Sequence, residues 1–169
     1  MRGGRGTLKR EIKPDPKFGN VVVAKFINHI MKNGKKSTSQ TIVYDAFDII
    51  TKAPAQGEHG ASGGKKDPVK VFEEAIKNVQ PQVEVRTRRV GGANYQVPMP
   101  VSAARQFSLT FRWIIDAARN KKGQPMAEKL ATILLDSSQG VGDAIKKRDD
   151  VHRMAEANKA FAHFARFAK

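Results

Sequence analysis

Residues 83–99 read Val-Glu-Val-Arg-Thr-Arg-Arg-Val-Gly-Gly-Ala-Asn-Tyr-Gln-Val-Pro-Met, two runs that meet at a pair of glycines. Val83, Val85 and Thr87 alternate with Glu84, Arg86 and Arg88, a period of two that belongs to a strand. Gly91-Gly92 supplies a turn, because glycine accepts the positive φ that tight hairpin turns need. Asn94 to Met99 returns as a second strand, with Pro98 and Pro100 as its stop. The pattern predicts one β-hairpin arm over about residues 82–99. A lone two-stranded hairpin is marginal in water, so this one must lean on other elements or on a partner.

On both sides of the arm the period becomes helical. A helix is predicted from about Lys17 to Met31, with Val22, Phe26 and Ile30 on one stripe, and Asn33-Gly34 ends it. Ser37 is placed to cap the next helix, which buries Ile42, Ala46, Phe47, Ile49 and Ile50. Residues 54–66 hold four glycines and form a glycine-rich loop. Asp67-Pro68 opens a third helix, with Val71, Phe72, Ala75, Ile76 and Val79 facing the core, and Pro81 closes it. After the arm come helices from about Ser102 to Asn120 and from about Met126 to Ser138, then a C-terminal helix. In that last helix His152, Glu156, Lys159, His163 and Arg166 form a polar stripe. Met154, Ala157, Phe161, Phe164 and Ala168 form an apolar one. The fold class is mainly α: a single domain of six helices over residues 17–169 with one protruding β-hairpin arm. Residues 1–16 form an extended basic tail, disordered on its own.

The charge is the second strong signal. The chain has 169 residues, a net charge of +15 and no cysteine. Such an excess needs a polyanion, and nucleic acid is the first candidate. Residues 1–36 carry ten Lys or Arg against two acidic groups, Glu11 and Asp15. Without cysteine there are no disulfides or thiolate metal sites. An anionic membrane surface is the second candidate; no apolar run is long enough to cross a bilayer, and with nucleic acid preferred no membrane partner is expected. Enzyme motifs are missing: His152 and Glu156 do not complete His-Glu-x-x-His, and Gly34-Lys35 and Gly64-Lys65 lack the earlier glycine of a phosphate loop. No catalytic residue, metal ligand or cofactor is expected, and His29, His152 and His163 read as surface or packing groups.

The candidate binding residues are basic. Arg105, Arg112 and Arg119 stand seven apart on one helix stripe, a row suited to phosphates. Lys35-Lys36 sits where two helices meet, and free N–H groups at a helix start favour anions. Arg86, Arg88 and Arg89 project from the arm beside Tyr95, which could stack on a base. Lys146, Lys147 and Arg148 lie near a helix start, where cations oppose the macrodipole, which hints at an external anion. An architectural DNA-binding protein with a basic β-arm is the alternative. Such arms carry a wedge at the tip, and this tip is Val90-Gly91-Gly92.

Three stretches also carry a resemblance: residues 144–164, residues 83–99, and Lys13 to Ser37 with its Pro-Asp-Pro-Lys-Phe-Gly start. In this order, and nearly end to end, they resemble the bacterial-type small-subunit ribosomal protein seven family. The resemblance implies six helices with one extended hairpin, and a structural constituent of the small ribosomal subunit rather than an enzyme. It implies a primary rRNA-binding protein that nucleates assembly of the head, in cytoplasmic rather than organellar ribosomes, with no homo-oligomer. Arg2, Arg5, Lys9, Arg10, Lys35, Lys36, Arg105, Arg112 and Arg119 would then lie on ribosomal RNA, as would Lys146, Lys147 and Arg148. Arg86, Arg88, Arg89, Gly91, Gly92, Tyr95 and Arg153 would approach the exit-site tRNA and mRNA. The C-terminal aromatics would pack towards a neighbouring small-subunit protein. This chain departs from the family in a glycine-diluted tail, a longer loop at 54–66, and Ala104-Arg105 where paired arginines are common.

Overall fold

A computed structural model describes residues 11–53 and 66–167. Arg2, Arg5, Lys9 and Arg10 of the tail, and nearly all of the 54–66 loop, lie outside the described residues. The order is α1 (Val21–Ile30), α2 (Lys36–Lys52), α3 (Pro68–Val79), β1 (Val83–Val90), β2 (Ala93–Pro100), α4 (Ala103–Asn120), α5 (Met126–Ser138) and α6 (Asp143–Ala157). A 3₁₀ segment, Lys159–Phe167, follows α6. Six α-helices with one antiparallel hairpin between the third and fourth is the architecture the sequence predicts.

The core forms where four helices each contribute a phenylalanine. Phe26, Phe47, Phe72 and Phe111, from α1, α2, α3 and α4, are fully buried. Their rings meet edge-on or tilted, 5.1 Å apart for Phe26–Phe72, 5.3 Å for Phe26–Phe111 and 5.5 Å for Phe47–Phe72. These are the separations at which aromatic quadrupoles attract. Helix α5 packs against α2, α3, α4 and α6, and buries Leu130, Ala131, Ile133 and Leu134. The predicted face of α3 is the buried one in full, and Asp67 caps that helix by accepting from Val69 N at 3.0 Å.

Helix starts differ from the sequence expectation in two places. Helix α1 begins at Val21, not Lys17. Asp15 accepts from the backbone N–H groups of Lys17 and Phe18, both at 3.1 Å, and Gly19 turns the chain at φ 63°. Asn20 then caps α1, its Oδ1 accepting from Val22 N at 2.7 Å. The local turn competes successfully with helix propensity because Asp satisfies the N–H groups that the helix would otherwise bond. Asp15 is buried and belongs to the folded body rather than to a tail. The cap predicted at Ser37 is also absent: α2 starts at Lys36, and no side chain caps it.

The C-terminus departs further. The predicted continuous stripe through Met154, Ala157, Phe161 and Phe164 does not exist, because α6 ends at Ala157. Asn158 stops it, its side-chain Nδ2 donating to Met154 O at 2.8 Å. Helix α6 buries Ala144, Ile145, Val151 and Ala155, and Met154 is 42% exposed. Beyond the break the chain tightens to three residues per turn, which eclipses positions i and i+3. Phe161 and Phe164 therefore share one edge.

Tyr44 ties the Asp15 turn to α2, its hydroxyl donating to Asp15 Oδ1 at 2.8 Å. Burial first, then that hydrogen bond and the carboxylate charge, push the phenol up to about 12. The native state thus resists ionisation of Tyr44 more than the unfolded chain does. Its contribution to stability is whole below the ordinary value of 10.0 and is lost as pH rises through about 12. Tyr44→Phe is expected to cost about 1 kcal/mol at neutral pH. The gap to wild type should close across that alkaline window, as measured by thermal melts of both proteins.

Candidate nucleic-acid interface

The α1–α2 turn gathers cations at one end of the bundle. Asn33 and Gly34 adopt φ 53° and 73°, which folds α2 back on α1. This leaves Lys32, Lys35 and Lys36 exposed around the uncapped start of α2, whose free N–H groups favour anions. The last turn of α4 lies alongside, and Arg119 Nη2 donates to Ile30 O at 3.4 Å. Arg119 lines one hollow with Lys32 and Lys35, and a second with His29, Arg112 and Asp116. Lys36 lines a third hollow with Lys13, Asn28 and Gln40. The structure thus joins Lys35, Arg112 and Arg119, which the sequence separates by more than 70 residues, into one cationic belt. It adds Lys32 and His29, which sequence reasoning did not select. Lys32 was legible only as a third lysine just ahead of the Lys35-Lys36 pair.

Arg105 does not join this belt. It lies 14 residues before Arg119, about 21 Å along the helix, and its Nε donates to Glu84 Oε2 at 3.2 Å. Glu84 is buried and also binds Arg86, whose Nε donates to Oε1 at 2.5 Å. A buried carboxylate needs such partners. The ion-pair cluster fixes the base of the arm to α4.

The arm pairs Val83 with Pro100 through Val90 with Ala93, around a two-residue turn. Gly91 and Gly92 have φ 59° and 90°, positive at both positions as a type I′ turn needs. Pro98 does not end β2. It pairs opposite Val85 within the strand, tolerated because each strand of a two-stranded ribbon has a free edge. Cross-strand neighbours put Glu84, Arg86, Arg88, Tyr95, Val97 and Met99 on one face. That face is turned to the body, since Val97 is fully buried and Glu84 nearly so. The alternation of the sequence is correct, but Glu84 is drawn inward and Arg88 half-buried, while Arg86 stays exposed.

Two consequences follow for the arm residues. Tyr95 is half-buried against the 3₁₀ segment: its ring lies 5.2 Å from Phe161 and 5.1 Å from Phe164. The same contacts hold those C-terminal aromatics against the arm. Arg88 is half-buried, and its Nε has no hydrogen-bond partner among the described residues. Arg89, Gly91 and Gly92 are exposed.

On α6 the basic triplet divides. Lys146 pairs with Asp143 at 3.6 Å, and Arg148 binds Asn78 O and Asp149. Asn78 in turn donates to Ser137 O and Ser138 O, so Arg148 helps join the ends of α3 and α5. Lys147 is exposed, with no ion-pair partner among the described residues. Arg153 is exposed beside Asp150 at 3.1 Å. His152 is structural: its Nε2 accepts from Gln82 N at 3.2 Å, at the root of the arm.

Residues 2–159 match the family described as ribosomal protein S7p/S5e. The chain belongs to this family. It is 55% identical over 160 residues to the small ribosomal subunit protein uS7 of Dechloromonas aromatica, covering 95% of this chain and 96% of that one. The protein of the same name from Thermotoga maritima is also 55% identical, over 95% of this chain and 97% of its own. That of Thermotoga petrophila is 54% identical over 97% and 99%. A member of the S7p/S5e family is a structural, RNA-binding protein of the small ribosomal subunit and not an enzyme. The architectural DNA-binding alternative is thereby set aside. No described helix is long and apolar enough to cross a membrane.

The Glu84 cluster gives a direct test of how the arm is held. Glu84→Gln leaves Arg86 and Arg105 without their carboxylate and should lower stability by about 1–2 kcal/mol. The Val101 N–H, which bonds Gln82 O at the arm's root, should exchange faster with solvent, while amides of the four-helix core keep their protection.

Proposed function

We propose that this chain is a primary binder of small-subunit ribosomal RNA that nucleates assembly of the subunit's head. In this reading its arm and the solvent face of α6 lie near the exit-site tRNA and the mRNA path. The supporting observation is the cationic belt of Lys32, Lys35, Lys36, Arg112 and Arg119. These side chains come from two helices and a turn, and they meet at one end of the bundle in a chain whose net charge is +15. Phosphate contacts of that kind set position and affinity rather than sequence choice. Arg2, Arg5, Lys9 and Arg10 extend the same role in the tail, and Lys147 supplies a separate phosphate contact on α6. Arg105 and Arg148 act chiefly within the protein. The exposed tip, Arg89, Gly91 and Gly92, together with Arg153, makes the tRNA-proximal surface. Arg86, Arg88 and Tyr95 shape it from behind. Neighbouring small-subunit proteins are further partners, the chain enters the ribosome as a single copy, and its place is the cytoplasmic ribosome.

The test is the salt dependence of binding to a small-subunit rRNA fragment. With about six to ten phosphates neutralised, affinity should fall about a thousandfold or more between about 50 and 200 mM salt. A nearly flat plot of log affinity against log salt refutes a phosphate-dominated interface.

The arm separates assembly from tRNA handling. Deleting the tip and rejoining the strands should leave a folded protein that still enters small subunits, because the tip glycines are exposed and bury little area. Those subunits should hold exit-site tRNA abnormally, and Arg153→Ala should shift tRNA release in the same direction. Failed assembly with normal tRNA release would instead make the arm an rRNA anchor.

A further inference from the structure

Asp15 is a buried carboxylate that no cation neutralises among the described residues. It is 3% exposed and is held by three hydrogen bonds instead. Lys17 N and Phe18 N donate to Oδ2, both at 3.1 Å, and the Tyr44 hydroxyl donates to Oδ1 at 2.8 Å. The backbone closes around it: Gly19 N donates to Asp15 O at 2.8 Å, and Asp15 N to Asn20 O at 3.3 Å. Phe18 seats this loop on α2, its ring 5.1 Å from Phe47 and 5.8 Å from Tyr44. Lys17 turns the same way, its Nζ 3.3 Å from Asp48 and 5.1 Å from the centre of the Tyr44 ring. Starting α1 needs none of this, because Asn20 caps that helix by itself. What the loop fixes is the chain before it. Lys13 and Pro14 line one hollow with Ile27 and Asn28 of α1 and with Lys36 and Gln40 of α2. Residues 11–14 thus lie along the seam of the two helices.

We infer that Asp15 and Tyr44 are positioning residues for RNA binding: their clasp holds the entry of the basic tail over the α1–α2 seam. Neither side chain meets RNA. Asp15 is buried and of the wrong sign for phosphate, and the Tyr44 hydroxyl is committed to it. Their effect passes through the backbone of residues 11–14. Arg2, Arg5, Lys9 and Arg10 are tethered to the helical body through that segment. A tether whose origin is fixed within reach of the ligand keeps a second binding group at high effective concentration. With the clasp formed during folding, less ordering remains to be done on binding. Without it, residues 11–19 lose their attachment to α2, and the tail cations search a larger volume. The inference rests on the proposed rRNA-binding role and adds to it two residues that contact no phosphate.

The experiment is a double-mutant cycle on the full-length protein, read as affinity for a small-subunit rRNA fragment. One arm is Asp15→Ala. The other replaces Arg2, Arg5, Lys9 and Arg10 together by Gln, which leaves the clasp intact and removes what it positions. Asp15→Ala should weaken binding about tenfold in the otherwise wild-type chain. In the chain with the neutral tail it should change affinity little, because the two arms act through one path. Tyr44→Phe should give a smaller loss with the same dependence on the tail. Asp15→Asn should restore binding, since its side-chain oxygen accepts the same N–H bonds without the charge. A substitution that only loosened the helical body would weaken binding by the same factor with either tail, and that result overturns the inference. So does wild-type affinity in Asp15→Ala, or an Asp15→Asn protein as weak as Asp15→Ala. If the neutral tail binds as tightly as wild type, the positioning role fails and the rRNA role stands. If wild type does not bind the fragment at all, the rRNA role itself fails. Should Asp15→Ala not fold, Tyr44→Phe, which loses one hydroxyl, is taken through the same cycle and decides.

Discussion

The fold rests on four phenylalanine rings, one each from α1, α2, α3 and α4, closed on one another at 5.1–5.5 Å. Each ring meets its neighbour edge-on or tilted, so the helices that carry them are fixed in rotation as well as in distance. Removing one large ring from such a core typically costs about 3–5 kcal/mol, set against a total stability of about 5–15 kcal/mol for a domain. The rings also set the geometry of the cationic belt. Phe26 to Phe111 holds α1 against α4, and that pairing is what brings Arg119 to the last carbonyl of α1 and to Lys32 and Lys35.

A small chain with a net charge of +15 must keep its cations from pushing its fold apart. Part of the solution here is that several arginines serve as internal connectors. Arg119 reaches the carbonyl end of α1, where helix carbonyls lack partners and the macrodipole is negative. Arg148 reaches Asn78 O near the end of α3 by the same logic. Arg105 and Arg86 neutralise the buried Glu84. Each of these groups stabilises the fold while its charge still counts towards the chain's positive potential. A simple count of basic residues therefore overstates the number free for phosphate.

The arm is held from two sides. Glu84 anchors its root to α4, and Tyr95 anchors its middle to Phe161 and Phe164 of the 3₁₀ segment. The tip, around Arg89, Gly91 and Gly92, is exposed. A two-stranded ribbon has no stability to spare, so these attachments are what let it present a defined surface. His152 completes the arrangement by accepting from Gln82 N, which couples α6 to the same root.

The sequence alone determined the number and order of helices, the hairpin and its glycine turn, the buried face of α3, and the polyanion partner. Those features follow from local period, turn chemistry and composition, all of which are written within a few residues of where they act. The residues that meet across the fold were decided by tertiary structure. Nothing near Glu84 signals that Arg105 lies opposite it, and nothing near Tyr95 signals Phe161 and Phe164. The apolar stripe through Met154 and Phe164 assumed 3.6 residues per turn throughout, and the break at Asn158 changed the period to three. The row of Arg105, Arg112 and Arg119 had the right spacing. Only packing could show that its first member faces a buried carboxylate while the other two border the cationic belt. Periodicity fixes which side of a helix a residue occupies, and the neighbouring helices decide what that side meets.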